Sequence, residues 1–142
     1  MGLYDITVYD VISRNATCFK ERPAWLEVDD GLMITFGQFK DRVDRLAKGL
    51  QGIGIEKGDR IGVLGKNSLE YFLLFGAAAA VGAIMLPINW RLSADEVGFN
   101  LSDCAPKVVF ASKEYEELIE GLKGKLPSVE KLFNLEIRDG GF

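Results

Sequence analysis

The stretch Gly58-Asp59-Arg60-Ile61-Gly62-Val63-Leu64-Gly65-Lys66-Asn67-Ser68-Leu69 decides the fold. A charged turn leads into a short apolar run. The run ends in a small polar loop, and Ser68 then stands where a helix N-cap belongs. The helix that it opens spans Leu69–Val81. This unit recurs down the chain. Apolar strand candidates begin near Arg60, Ala83, Lys107 and Lys131, at intervals of 23, 24 and 24 residues. Each interval holds one helical pattern: Leu69–Val81, Ala94–Asp103 and Glu114–Lys123. Ser68, Ser93 with Glu96, and Ser112 are the expected caps. Strand–helix–strand units at this spacing predict an α/β fold: a parallel sheet of about four strands with right-handed crossovers.

Upstream, the pattern predicts a small helix and hairpin. Val8, Val11, Ile12 and Phe19 fall on one face of a helix from Thr7 to about Thr17. Strands Ala24–Val28 and Leu32–Thr35 flank Asp29-Asp30-Gly31, and Asp-Gly between apolar runs is a hairpin signal. Thr35 and Gln38 form a capping box for an amphipathic helix with Phe36, Phe39, Val43, Leu46, Ala47 and Leu50 at helical spacing. Asp41 with Arg45, and Asp44 with Lys48, are expected ion pairs on its wet face. Gly52 and Gly54 end it.

At 142 residues the chain has the size of one domain. Its net charge is −4 and no segment is strongly basic, so no nucleic-acid partner is expected. There is no histidine, which excludes His-based acid–base catalysis and His-ligated metal from this chain. Cys18 and Cys104 form no metal-ligand pattern and are expected to be reduced, largely buried thiols in a cytoplasmic protein. Met1-Gly2-Leu3-Tyr4-Asp5 lacks the pattern of a signal peptide, and Ile6 breaks a myristoylation motif. Phe72 to Ile88 carries no charge over seventeen residues, but Gly82 and Pro87 divide it. A buried helix followed by a buried strand explains it better than a membrane span. The Leu69–Val81 helix is apolar almost all round, so protein is expected to cover it on both sides.

The residue types that carry chemistry have ordinary explanations nearly everywhere. Gly52-Ile53-Gly54-Ile55-Glu56-Lys57-Gly58 ends a helix where a dinucleotide loop would begin one. Gly65-Lys66-Asn67-Ser68 lies between strand and helix but lacks the Walker A frame, and Asn67 and Ser68 read as caps. Gly76 and Gly82 read as close-packing and helix-end residues. Asp29-Asp30, Asp95-Glu96 and Glu116-Glu117 read as solvated acids, and Trp25 and Trp90 as packing. Neither catalytic nor metal-ligating residues are expected. Arg91 is different. It follows the strand Ala83–Pro87 and precedes the cap Ser93, at the carboxyl edge of a parallel strand where α/β proteins bind ligands. Position alone leaves it open between a surface arginine and a bidentate phosphate contact.

Several segments in order resemble the N-terminal part of AMP-forming acyl-CoA synthetases, within the adenylate-forming (AMP-binding) enzyme superfamily. Ile34-Thr35-Phe36-Gly37-Gln38-Phe39 is similar to their "TY-x-E-L" helix start. Gly54-Ile55-Glu56-Lys57-Gly58-Asp59-Arg60-Ile61-Gly62-Val63 is similar to "G-V-x-x-G-D-R-V-A-I", and Asn67-Ser68-x-Glu70 matches "N-S-x-E". Gly82-Ala83-Ile84-Met85-Leu86-Pro87-Ile88-Asn89-Trp90-Arg91-Leu92 looks like "G-A-V-x-x-P-x-N-x-R-L". Glu96, Leu101-Ser102-Asp103 and Lys107-Val108-Val109-Phe110 continue the order. The resemblance covers roughly residues 5–112.

The resemblance implies a parent enzyme that uses Mg-ATP to convert a carboxylic acid, of fatty or aryl type, to an acyl-adenylate. Coenzyme A thiol then displaces AMP. It also implies a phosphate contact to coenzyme A at Arg91. The family's triphosphate loop, its ribose-binding acid and its catalytic lysine have no counterpart here. Residues 1–142, ending at Asp139-Gly140-Gly141-Phe142, are therefore expected to be a truncated N-terminal subdomain. Alone it is expected to be inactive, to bind no cofactor, and to self-associate through apolar surface that the rest of its own polypeptide would cover. The alternatives are a stand-alone assembly module and a mononucleotide-binding domain unrelated to ligases.

Overall fold

The computed structural model describes residues 5–136. The Met1-Gly2 start and the Asp139–Phe142 end lie outside them. Helix α1 (Val8–Cys18) precedes a hairpin of β1 (Pro23–Leu26) and β2 (Met33–Thr35). Helix α2 (Phe36–Gly52) follows. Then come β3 (Arg60–Leu64), α3 (Leu69–Val81), β4 (Ile84–Ile88), α4 (Ala94–Cys104), β5 (Val108–Ala111), α5 (Glu116–Leu122) and β6 (Lys131–Asn134). The last four strands form one parallel sheet in the order β4-β3-β5-β6. The expected α/β architecture is therefore present, and each of these four strands begins within one residue of its predicted start.

Alternation along the strands builds two cores. On one face, Ile61 and Val63 of β3 and Val108 and Phe110 of β5 pack with Val43, Leu46 and Leu50 of α2 and Leu73, Leu74 and Ala77 of α3. On the other, Leu64, Val109 and Ala111 pack with Val97 and Leu101 of α4 and Ile119 and Leu122 of α5. Val43, Ile61, Val63, Leu101 and Val109 are all fully buried, and each such side chain contributes roughly 1.5–3 kcal/mol by leaving water. The layering follows from handedness. Going from β3 to β4 the chain moves one way across the sheet. From β4 to β5, and on to β6, it moves the other way. Right-handed crossovers then put α3 on the face opposite α4 and α5.

Local signals set the helix ends. Thr7 with Asp10, Thr35 with Gln38, and Ser93 with Glu96 each form a reciprocal capping box. The Ser68 hydroxyl accepts the Tyr71 N–H at 3.2 Å. Gly76 lets α3 approach its neighbours. A Cβ there would sit 2.9 Å from both Ile12 Cδ1 and Val43 Cγ2.

Five expectations are corrected. Val8, Val11 and Phe19 are exposed; Tyr9 and Ile12 face inward, because α1 rests on α2 and α3 by the adjoining stripe. Asp44 bonds with Lys40 and the Tyr9 hydroxyl, while Lys48, the expected partner, makes no direct bridge and acts on it only through its charge. Ser112 makes no side-chain cap bond. The chain there takes a 3-10 turn (Lys113–Tyr115) before α5, and Ser112 is buried against Gly65. Cys18 is exposed and Cys104 half-buried. Finally, β4 is an edge strand. It pairs only with β3, and Ile84 and Pro87 are exposed. Proline suits such an edge because it has no N–H to donate to a further strand.

Candidate functional site

Three loops meet at the carboxyl edge of the sheet. The loop after β3 carries Gly65 and Lys66. The loop after β4 carries Asn89, Trp90 and Arg91. The turn after β5 carries Ser112, Glu114 and Tyr115. The strand order reverses between β3 and β5, whose connections leave toward opposite faces of the sheet, α3 on one and α5 on the other. Adjacent strands of that kind open a crevice at their carboxyl ends, where open α/β sheets take ligands.

Arg91 lies beside this crevice, in the loop at the carboxyl end of β4 where the sequence placed it. Its backbone N–H donates to Asn89 Oδ1 at 3.0 Å, which fixes the turn leaving β4. Its guanidinium carbon lies 3.9 Å from the centroid of the Trp90 ring. Trp90 also packs on the α4–α5 core. It is thus both the packing residue expected and a platform for a cation. Lys66 reaches the same indole, with Nζ 4.9 Å from the centroid. Glu114 bridges Lys66 at 3.1 Å. The Tyr115 phenol is pushed above its ordinary pKa by burial first and by Glu114 second, and both Lys66 and Arg91 pull against that shift.

Sequence reading did not bring Lys66, Glu114 and Tyr115 to Arg91. The signal for it was the strand spacing. Each of these residues stands a few places beyond a predicted strand end, so a parallel sheet must place them on one edge. What the spacing lacks is strand order, which makes β4 and β5 the two neighbours of β3. The remaining candidates have structural roles. Asp30 accepts the Leu32 N–H at 2.9 Å inside the hairpin turn. Glu96 closes a capping box, which holds its carboxyl below the usual range through bonds from the Ser93 side chain and backbone. Glu116 accepts from Asn134 Nδ2 at 2.6 Å. Among the described residues no group of three or more His, Cys, Asp or Glu side chains is placed to hold a metal ion.

A second feature lies on the sheet's β4 side. Tyr71, Phe72, Phe75, Met85 and Pro87 line an apolar groove of about 200 Å³. The Trp25 and Phe72 rings stand 5.2 Å apart at its rim. Phe72, Phe75 and Ile84 are 40%, 44% and 55% exposed. Helix α3 is covered by α1, α2 and the sheet, and leaves Phe72 and Phe75 open to solvent. No helix among the described residues is long and apolar enough to cross a membrane.

Residues 12–137 match the family described as AMP-binding enzyme. The chain belongs to that family. Within the AMP-binding enzymes it is 36% identical over 115 residues to the long-chain-fatty-acid–CoA ligase FadD13 of Mycobacterium tuberculosis, a match covering 81% of this chain and 23% of the relative. It is 32% identical over 131 residues to the mitochondrial medium-chain acyl-CoA ligase ACSF2 of Rattus norvegicus, covering 91% of this chain and 21% of the relative. The solved N-terminal domain of FACL13 from M. tuberculosis superposes with a TM-score of 0.86 at 32% identity, over 90% of this chain and 33% of that one. The chain thus corresponds to the N-terminal portion of acyl-CoA ligases, and it spans about a fifth of the length of the curated relatives it matches.

Proposed function

We propose that this AMP-binding chain is the N-terminal subdomain, over residues 1–142, of a cytoplasmic AMP-forming acid–thiol ligase. The parent activates a carboxylic acid of fatty or aryl type with Mg-ATP to an acyl-adenylate and passes the acyl group to coenzyme A. The relatives named as long-chain and medium-chain acyl-CoA ligases support the acid class. Within this chain the observation that carries the reading is Arg91 seated on Trp90 at the crevice. A guanidinium carries donors only and presents paired N–H groups that match two phosphate oxygens. The contact with the indole supports the guanidinium, and Arg91 remains exposed to solvent. The group that fits is the ribose phosphate of coenzyme A, and its role is binding and orientation, not bond-making.

Triphosphate binding, ribose binding and the adenylation lysine belong to the rest of the polypeptide. That remainder also covers the α3–β4 face, whose groove and open strand edge otherwise leave apolar side chains and backbone donors in water. The test is kinetic. In the parent enzyme, Arg91→Met raises KM for coenzyme A severalfold and leaves KM for 3′-dephospho-coenzyme A unchanged. An equal change for both thiols, or none for either, would remove Arg91 from the site.

A further inference from the structure

Two cations and one carboxylate share the crevice. This inference rests on the reading of Arg91 as an anion contact and adds a second contact to it. Lys66 arrives from the end of β3 and Arg91 from the end of β4, yet both lie against one indole, at 4.9 Å and 3.9 Å from its centroid. A carboxylate from a third strand end, Glu114, lies 3.1 Å from Lys66. The Lys66 and Glu114 side chains are 54% and 47% exposed, so their bridge is weak and readily exchanged.

We propose that Lys66 is a second phosphate-binding cation of this crevice and that Glu114 occupies the anion's place until a phosphomonoester displaces it. Trp90 is the shared support that keeps both cations at the mouth. A dianionic phosphate is the ligand that suits two cations, and a monoanion competes less well with Glu114. The arrangement therefore favours a phosphomonoester over a phosphodiester.

Opposite signs at two residues test this. Inorganic phosphate is titrated into the 142-residue chain carrying Trp25→Phe, which leaves Trp90 as the only indole, since the sequence has two tryptophans. Indole fluorescence is read, and sodium chloride holds ionic strength constant. The Trp90 indole N–H resonance of the unsubstituted chain supplies the same reading should Trp25→Phe disturb folding. A saturable change at millimolar phosphate is expected. Lys66→Met weakens binding by about fivefold, the size of one charge-assisted hydrogen bond at an exposed site. Glu114→Gln tightens it by about threefold, because the competing carboxylate is gone. Lys66→Met binding like the parent chain, or Glu114→Gln binding more weakly, overturns the proposal. Arg91→Met separates the two ideas. If it binds normally while Lys66→Met does not, the Arg91 reading falls and Lys66 stands; the reverse result removes Lys66 and keeps Arg91. No saturable change in the parent chain overturns both.

Discussion

The Tyr9 hydroxyl donates a 2.7 Å hydrogen bond to Asp44, tying α1 to α2 across 35 positions of sequence. Lys40 donates to the same carboxylate and lies over the Tyr9 ring. Burial pushes the Asp44 carboxyl up, and the bonds from Lys40 and Tyr9 outweigh it, so the group sits below its ordinary value.

Tyr9→Phe removes that donor and leaves the ring. The expected loss is about 1 kcal/mol, the net worth of one such bond, read as a lower urea midpoint. The pH dependence follows from the direction of the shift. A carboxyl with a lowered folded pKa stabilises fully above its unfolded value, near 3.9. That contribution fades as pH falls through the folded value. Asp44→Asn should therefore flatten the acid limb of the stability profile below about pH 4. An unchanged limb would show that Asp44 does not contribute.

Gly76→Ala tests the packing of α3. Alanine favours a helix over glycine by about 1 kcal/mol, but its Cβ would meet Ile12 and Val43 at 2.9 Å. Overpacking of that kind costs about 1–3 kcal/mol, so a lower Tm is expected. Gly121→Ala in α5 is the control. Nothing lies within 4 Å of a Cβ there, and Tm should rise or hold.

Thr35→Ala removes half of the capping box on α2, whose hydroxyl accepts the Gln38 N–H at 3.3 Å while Gln38 accepts the Thr35 N–H at 2.9 Å. A loss of about 1 kcal/mol is expected in chemical denaturation.

Much of the fold is legible in the sequence. Leu69–Val81 is bounded as its cap Ser68 and terminal Gly82 indicate, and Thr35 and Ser93 cap as their downstream Gln38 and Glu96 suggest. These signals are local, so they survive folding unchanged. What the sequence does not reveal depends on which elements touch. Asp44 makes its direct bonds to Lys40 and to Tyr9 of another helix, and Lys48 reaches it only through its charge. Ser112 packs against Gly65 instead of capping a helix. β4 is as apolar as a central strand, and only strand order puts it at the edge. At the site, Arg91 is visible from its position after a strand. Lys66 and Glu114 are not, because their meeting requires β4 and β5 to flank β3.

The exposed α3–β4 face should make the isolated chain self-associate. Phe72→Ser with Phe75→Ser removes the two aromatic rings most open to water on α3. Sedimentation velocity should show concentration-dependent association for the parent chain and a shift toward monomer for the double variant. A monomeric parent chain at high concentration would show that this face stays solvated.

The central claim is that this chain supplies scaffold and a phosphate contact to an AMP-forming ligase whose bond-making groups lie elsewhere in the polypeptide. The direct measurement is acyl-CoA formation by the purified 142-residue chain supplied with Mg-ATP, coenzyme A and a panel of fatty and aryl acids. The account predicts no ATP-dependent product above background. Sustained turnover that requires ATP would contradict it.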